Sequence, residues 1–218
     1  MKVQVVESVL KANDAIAATI RQQIQAAGVL ALNFTSAPGS GKTTLLEKTI
    51  TALGAENRCA VLVGDLQTTR DAERLADAAA QVVQINTGRG CHLSATQVSE
   101  GLAQLDLTGI RYLFIENVGN MVCPAGFDLG EALRVVLLSV PEGDDKVAKY
   151  PTLFQAADII LLNKVDLLAV LEFDRQRVHD DLSRINSRAE LLEISAQTGD
   201  GLEQWLQWLR KQASDQSS

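Results

Sequence analysis

Short apolar runs alternate with longer stretches of helical spacing along the chain. The apolar runs are rich in Val, Ile and Leu and predict strands over 30–36, 59–65, 81–86, 111–117, 134–140, 158–164 and 191–196. Most of them are almost continuously apolar, which is typical of strands covered on both faces. Helical spacing is found between them, over 43–55, 69–79, 95–105, 147–157, 173–187 and 201–213. This alternation predicts an α/β fold in which helices flank a mostly parallel sheet.

A further helix is predicted ahead of the first strand. Its apolar positions follow helical spacing and are Val9, Leu10, Ile16, Ile20 and Ile24. Gly28 is a suitable residue to end this helix. We therefore expect an N-terminal helical extension over 1–28, one main domain over 29–212 and a disordered tail over 213–218. The sequence leaves open whether the extension packs on the main domain or on a partner.

Charge and composition narrow the class of protein. The net charge of −7 and the isoelectric point near 4.9 argue against a general nucleic-acid binder. No apolar run approaches the roughly 20 residues that span a bilayer. The first residues lack the apolar core and cleavage site of a signal peptide, so we expect a cytoplasmic protein. The three cysteines are an odd number and do not form a disulfide framework, which leaves free thiols or metal ligands.

A phosphate-binding loop is predicted directly after the first strand. The segment SAPGSGKTT, residues 36–44, matches the G-x-x-x-x-G-K-[ST] pattern except that Ser36 replaces the first glycine. Main-chain N–H groups of such a loop surround phosphates at the start of a helix. Lys42 is expected to reach the β- and γ-phosphates, and the Thr43 hydroxyl to bind Mg²⁺. The expected nucleotide-binding residues of this loop are Pro38, Gly39, Ser40, Gly41, Lys42, Thr43 and Thr44.

The base specificity is predicted by an Asn-Lys-x-Asp segment at the end of a later strand. The Asp166 carboxylate can accept two N–H bonds from guanine, a pair that adenine does not offer. Asn163 is expected to contact the other edge of the base, and the stem of Lys164 to cover its face. Ser195 and Ala196 follow the next strand and are expected to offer a backbone N–H to the guanine oxygen. This order of motifs resembles that of regulatory GTPases.

Acidic residues at two strand ends are the candidates for magnesium binding and hydrolysis. Glu116 ends an apolar strand and Gly119 follows it, where GTPases usually have Asp-x-x-Gly. We expect Glu116 to hold Mg²⁺, and the Gly119 amide to meet the γ-phosphate. Asp65 is a second candidate for the metal or the attacking water, so Lys42, Asp65 and Glu116 form the expected catalytic set. Asp71 is either a further candidate or a charge at a helix start. No residue is an evident catalytic base, which predicts slow intrinsic hydrolysis that depends on a partner.

Two cysteines and a histidine form a second candidate site. Cys91 and His92 follow the third predicted strand, and Cys123 follows the strand that ends at Glu116. In a parallel sheet both segments leave the carboxyl edge, where ligands bind. Cys59 is expected to be a core residue and His179 a surface residue.

These three ligands form an incomplete shell for a metal ion within one chain. Two protomers facing each other would supply four thiolates, two from each. Tetrahedral sulfur suits Zn²⁺ and a square-planar arrangement suits Ni²⁺, so either metal is open. The alternative is that the two thiols and the histidine are unrelated.

Four segments in order resemble one family. SAPGSGKTTLL, INTGRGCHLSA, IENVGNMVCPAGFDLGE and EGDDKVAKYP are similar to segments of the HypB nickel-incorporation GTPases of hydrogenase maturation. The resemblance implies a three-layer P-loop NTPase that forms a GTP-dependent homodimer with the metal at the interface. It also implies delivery of nickel to the [NiFe] hydrogenase large subunit precursor together with a zinc/nickel partner protein. By this resemblance Cys91, His92 and Cys123 form the interface metal site.

Some features differ from the family or leave alternatives open. The Cys-x-x-Cys-Gly-Cys site and the histidine-rich tract of some members are missing from residues 1–30. Lys146 and Lys149 fall in a family-like segment and either reach a nucleotide or the other subunit, or are surface lysines. The alternatives are a urease-type nickel GTPase, a metal-binding scaffold that holds nucleotide and a small-molecule P-loop kinase. The urease type normally has Cys-Pro-His and lacks the later cysteine, which favours the hydrogenase branch.

Overall fold

The computed structural model describes residues 5–65 and 69–216, with side chains from residue 10 onward. The strands are β1 (Leu30–Ser36), β2 (Cys59–Asp65), β3 (Gln81–Asn86), β4 (Tyr112–Glu116), β5 (Leu133–Ser139), β6 (Ile159–Asn163) and β7 (Glu190–Glu193). They form one seven-stranded sheet in the order β3-β2-β4-β1-β5-β6-β7. Every pairing is parallel, so the expected parallel sheet is confirmed.

Helices and short 3₁₀ turns connect the strands. The helices are α1 (Val5–Ala26), α2 (Lys42–Leu53), α3 (Arg70–Ala76), α4 (Ala95–Leu102), α5 (Lys146–Lys149), α6 (Pro151–Gln155), α7 (Arg175–Ile185) and α8 (Leu202–Asp215). The 3₁₀ turns are Cys123–Gly126, Val140–Glu142 and Val165–Ala169. The helix expected over 147–157 is divided, because Pro151 starts a new helix and its ring is incompatible with the interior of a longer one.

The expected disordered tail over 213–218 is wrong for its first residues. Helix α8 continues to Asp215, and Ala213 is 2% exposed. The Ala213 carbonyl accepts a hydrogen bond of 2.5 Å from the Arg111 guanidinium. The apolar face of α8 that includes Trp205 and Leu209 extends to Ala213. The polar composition of residues 213–218 does not reveal this. Residues 1–4 of the expected extension and 217–218 of the expected tail lie outside the described residues.

Helix α1 packs on the main domain rather than standing apart from it. Ala17, Ile20 and Ile24 are buried in a cluster that includes residues of α4 and β4. Arg21 forms an ion pair of 2.7 Å with Asp128. The helix ends at Ala26, and Gly28, the expected stop, follows in a turn with a positive φ of 68°. The structure thus answers the question that the sequence left open.

The core lies on both faces of the sheet. Helices α2 and α8 cover one face, where Trp205 is fully buried and donates to Thr49 Oγ1 at 2.9 Å. Helices α1 and α4 cover part of the other face. The carboxyl ends of the strands therefore point to a single open edge, at which the long loops carry the predicted motifs. In the part of the chain that the structure describes, no helix is long and apolar enough to cross a membrane.

Candidate nucleotide site and metal site

A cavity of about 490 Å³ lies at the carboxyl edge of the sheet. The phosphate loop, the ends of β2 and β4 and Lys164 surround it. Its lining residues are Pro38, Gly39, Gly41, Lys42, Thr43, Thr44, Gly64, Asp65, Asp71, Arg74, Glu116, Asn117, Val118, Gly119 and Lys164. The cavity thus brings together most of the residues that the sequence assigned to the phosphates and to magnesium.

The phosphate loop turns sharply between β1 and α2. Gly41 caps α2 with a left-handed φ of 100°, and a Cβ at this residue would lie 2.5 Å from Asn163 Nδ2. Asn163 Nδ2 donates to the Ser40 carbonyl at 2.8 Å, and Lys164 Nζ donates to the Gly39 carbonyl at 2.7 Å. The Asn-Lys-x-Asp segment therefore contacts the phosphate loop directly, and only glycine fits the close approach at position 41.

Ser36 has a defined contact in place of the usual first glycine. Its hydroxyl accepts a hydrogen bond of 2.9 Å from Lys42 Nζ and donates to the Ala37 carbonyl at 2.8 Å. Burial lowers the pKa of Lys42, and the nearby Glu116 carboxylate partly offsets that effect. The replacement of glycine by serine therefore gives the phosphate-loop lysine a hydroxyl partner.

Glu116 lies at the centre of the expected magnesium site. The Thr43 hydroxyl donates to Glu116 Oε1 at 2.7 Å, while Oε2 is buried and has no hydrogen-bond partner among the described residues. Burial raises the pKa of Glu116 to about 7, against the lowering effects of Lys42 and Thr43. A buried carboxylate oxygen without a partner, next to a threonine hydroxyl, is a donor set that suits Mg²⁺.

Gly119 approaches the phosphate loop closely. A Cβ at Gly119 would lie 2.9 Å from the Cα of Pro38, which is a backbone atom. Asp65 ends β2 and, like Asp71 in the first turn of α3, lines the same cavity. Both interpretations of Asp71 therefore stay open. Residues 66–68, which lie between these two aspartates in the sequence, are outside the described residues.

The expected base site is assembled from the ends of β6 and β7. The Ser195 hydroxyl donates to Asp166 Oδ1 at 2.5 Å and so orients the carboxylate. The Ala196 N–H donates to Asn163 Oδ1 at 3.0 Å, and the Ser195 N–H donates to the Asp200 carbonyl at 2.8 Å. Both N–H groups thus have acceptors within the protein, and the expected contact of one of them with the guanine oxygen stays a prediction. An Ala196 N–H bond to the base would have to be shared with Asn163.

Cys91, His92 and Cys123 converge at the same edge of the sheet. One ligand atom from each of the three residues lies within 4.8 Å of the others. Cys91 Sγ is 3.6 Å from His92 Nδ1, and a hydrogen bond with Cys123 raises the pKa of the Cys91 thiol. Partial burial lowers the pKa of His92, which favours the neutral imidazole that binds metals. The arrangement can hold a soft divalent ion with three ligands from one chain.

The surroundings of the cluster differ between its two segments. The His92 ring packs on Phe127 with ring centroids 3.9 Å apart. Val122, next to Cys123, is 65% exposed and is one of the few large apolar residues on the described surface.

The expectations for the remaining cysteine and histidine are confirmed: Cys59 is buried, with a pKa raised to about 12, and His179 is exposed. Lys146 and Lys149 both form ion pairs with Asp145.

Buried polar residues next to the site were missed at the sequence level. Glu142 Oε1 accepts from the Ser40 and Ser139 hydroxyls, each at 2.6 Å. Asn33 and Asn117 are 0% and 2% exposed and hydrogen-bond to each other. The signal for Asn33 is visible in hindsight, because it interrupts an otherwise apolar strand interior.

Comparison with known proteins places this geometry in a family. A family model described as "CobW/HypB/UreG, nucleotide-binding domain" matches residues 30–193. The hydrogenase maturation factor HypB of Azotobacter chroococcum is 48% identical over 210 residues, which are 96% of this chain and 69% of that protein.

Two solved structures are similar along almost the whole chain. HypB from Helicobacter pylori in complex with nickel has a TM-score of 0.89 and 40% identity, covering 93% of this chain and 95% of that one. The hydrogenase maturation factor HypB from Archaeoglobus fulgidus has a TM-score of 0.87 and 39% identity, covering 94% and 100%. The level of identity and the coverage extend the similarity beyond the fold.

Proposed function

The chain belongs to the CobW/HypB/UreG family, among the HypB GTPases of hydrogenase maturation, and we propose that it delivers nickel through a GTP-dependent homodimer. The observation that carries this proposal is the contact between the two sites. Leu93, which directly follows the cluster residues Cys91 and His92, donates its N–H at 3.0 Å to Asn117, which lines the nucleotide cavity. In this proposal the nucleotide controls the dimer, and the dimer completes the metal site.

The nucleotide would bind with its phosphates in the loop of residues 38–44 and its base near Asp166. Lys42 reaches the cavity beside Glu116, where its ammonium can stabilise the negative charge that develops on the phosphates. Asp166, oriented by Ser195, would accept the two guanine N–H groups. Asn163 supports both ends, since it contacts the Ser40 carbonyl and the Ala196 N–H.

Thr43, Glu116 and Asp65 are the residues that would hold Mg²⁺. Glu116 Oε2 is buried and has no hydrogen-bond partner among the described residues. This supports the assignment, because a nearby cation stabilises a buried carboxylate oxygen. Mg²⁺ when bound neutralises phosphate charge during hydrolysis. Gly119 would donate its N–H to the γ-phosphate, which places the segment that follows β4 under the control of the nucleotide.

Nickel would be the cargo, held between two protomers. Each protomer offers Cys91, His92 and Cys123, so a symmetric dimer supplies four thiolates. The exposed Val122 lies beside Cys123 and would be covered in such a dimer. Zinc is a competing occupant of the same ligands. The proposed partners are the [NiFe] hydrogenase large subunit precursor, which receives the nickel, and a zinc/nickel protein that exchanges metal with this chain.

Phosphate release tests the proposal against the scaffold and kinase alternatives. We expect slow hydrolysis of GTP and not of ATP, lost in Lys42→Ala, and faster hydrolysis when the dimer forms. Lys48→Ala, at an exposed position of α2, is a matched control that should leave turnover unchanged. Absence of turnover in the wild type with nickel and partner present would favour a nucleotide-holding scaffold, and a preference for ATP would favour the kinase.

A further inference from the structure

Asn117 joins the nucleotide site to the metal site through one side chain. It follows Glu116 directly and lines the nucleotide cavity, yet it is only 2% exposed. Its Oδ1 accepts two backbone N–H bonds of 3.0 Å each, from Val118 and from Leu93. The first of these donors lies in the segment that leads to Gly119, and the second directly follows the ligands Cys91 and His92.

Leu93 is held from two strands at once. Its backbone is tied to Asn117 after β4, and its buried side chain packs against Gly64 at the end of β2. A Cβ at Gly64 would lie 2.7 Å from Leu93 Cγ, so the Leu93 side chain packs tightly against the strand that ends at Asp65. Both of the strand ends that contact Leu93 line the nucleotide cavity.

The segment after Cys123 is connected to the same side chain. Asn117 Nδ2 donates to Asn33 Oδ1 at 3.3 Å, and Asn33 Nδ2 donates to Glu131 Oε1 at 3.2 Å. Glu131 in turn pairs with Arg134 at 2.7 Å. The Arg134 guanidinium donates to the carbonyls of residues 125 and 127, each at 3.0 Å. These carbonyls belong to Ala125 and Phe127, which follow the ligand Cys123 closely in the chain, and the ring of Phe127 packs on His92.

We infer that Asn117 is the positioning residue through which the nucleotide sets the nickel affinity of Cys91, His92 and Cys123. The inference rests on the proposed function. When the backbone at 116–119 shifts on contact with a γ-phosphate, Asn117 Oδ1 moves with it. The Leu93 N–H moves with Asn117 Oδ1, because losing this acceptor would leave a buried donor without a hydrogen bond. Because this amide lies one residue from His92, the shift alters the spacing of the metal ligands.

The test compares Asn117→Ala with Asn13→Ala in the full chain. Asn13 is the matched control, because its Oδ1 accepts the Ala95 N–H at 2.8 Å and its Nδ2 donates to the Asp128 carbonyl at 2.8 Å. It therefore holds the same two segments from helix α1, away from the nucleotide. The readout is the ratio of nickel affinities with GDP and with a non-hydrolysable GTP analogue.

The wild-type ratio is expected to be about 5- to 150-fold, the usual range of coupling between two sites. We expect Asn13→Ala to keep this ratio even if both affinities fall, and Asn117→Ala to bring it close to one. If Asn117→Ala shows the same ratio of nickel affinities as the wild type, the inference is overturned. A wild type that binds no nickel, or binds it equally in both states, overturns the proposed function instead.

Hydrogen exchange of the wild type gives a second test that requires no variant. In the nickel-free chain we expect exchange at the Leu93 amide to change several-fold between GDP and the GTP analogue, together with that at Gly119. A response at Gly119 with identical exchange at Leu93 would show that the side chain of Asn117 transmits nothing, and the inference would fail.

Discussion

The Thr43 hydroxyl donates to Glu116 Oε1 at 2.7 Å and joins the phosphate loop to the end of β4. The second oxygen of the same carboxylate is buried without a partner among the described residues. The pair therefore presents a buried carboxyl site in which only one oxygen is satisfied by a hydroxyl, and in which burial disfavours the ionised form. Such a site is costly without a cation and becomes favourable with one, which is the physical basis for placing Mg²⁺ here.

The raised pKa of Glu116 predicts a pH dependence of stability. Its pKa rises from the ordinary 4.5 to about 7, mainly through burial, so between these values the folded protein holds a proton that the unfolded chain has lost. The free energy of unfolding of the metal-free and nucleotide-free protein should therefore fall as the pH rises through this window. Urea denaturation at several pH values measures it. Glu116→Gln, which cannot ionise, should flatten this part of the profile, and identical profiles for the two proteins would contradict the assignment.

Gly119→Ala should weaken GTP binding. The new Cβ would lie 2.9 Å from Pro38 Cα, and because the opposing atom is backbone, the phosphate loop itself must shift. Overpacking of this kind costs about 1–3 kcal/mol, which corresponds to a loss of roughly 5- to 150-fold in affinity if the strain falls on the bound state. Gly126→Ala is the control, since its Cβ would meet no described atom within 4 Å. Calorimetric titration with GTP should separate the two variants, and equal affinities would refute the close-contact account.

Asp166→Asn should change the preferred base. An amide cannot accept both guanine N–H bonds, and the loss of a hydrogen bond to a charged group costs about 1.5–3 kcal/mol. We expect GTP affinity to fall roughly ten- to hundredfold and affinity for xanthosine triphosphate to rise. Ser195→Ala removes only the hydroxyl that orients the carboxylate, so it should weaken GTP binding without changing the preference. Competition between the two nucleotides measures this, and unchanged GTP selectivity in Asp166→Asn would exclude Asp166 from the base site.

The double variant Cys91→Ala with Cys123→Ala should lose nickel and keep GTP. The two thiols belong to the ligand cluster but do not line the nucleotide cavity. Cys59→Ala removes the third cysteine, which is buried in the core, and should bind nickel like the wild type. Metal analysis after gel filtration, with the GTP analogue present, provides the measurement. Nickel retained by the double variant at wild-type stoichiometry would place the ligands elsewhere.

The sequence predicted the parallel sheet, and it predicted which candidate residues lie together at its carboxyl edge, because these signals are local. A strand end followed by Gly-Ser-Gly-Lys-Thr is enough to predict a phosphate-binding loop at the start of a helix. The apolar runs likewise match β1 to β6 to within two residues. The motifs converge because parallel strands deliver their carboxyl ends to one edge. The convergence of Cys91 with Cys123, which are 32 positions apart, follows from the same rule.

Contacts that depend on tertiary packing could not be predicted in this way. Nothing local shows that Asn117 reaches Leu93, or that the Ala196 N–H is already bonded to Asn163. The end of α8 was placed too early, because the apolar neighbours of Ala213 come from elsewhere in the chain. Likewise, α1 could be recognised as a helix, but its packing on α4 depends on the shape of both surfaces.

The central claim is that the nucleotide controls a nickel site shared by two protomers. It is tested most directly by the mass of the oligomer and its nickel content, measured together by native mass spectrometry with GDP and with a non-hydrolysable GTP analogue. We predict a dimer that carries one nickel ion with the analogue, and mostly monomer with little nickel with GDP. The same oligomer and the same nickel content in both nucleotide states would contradict the account.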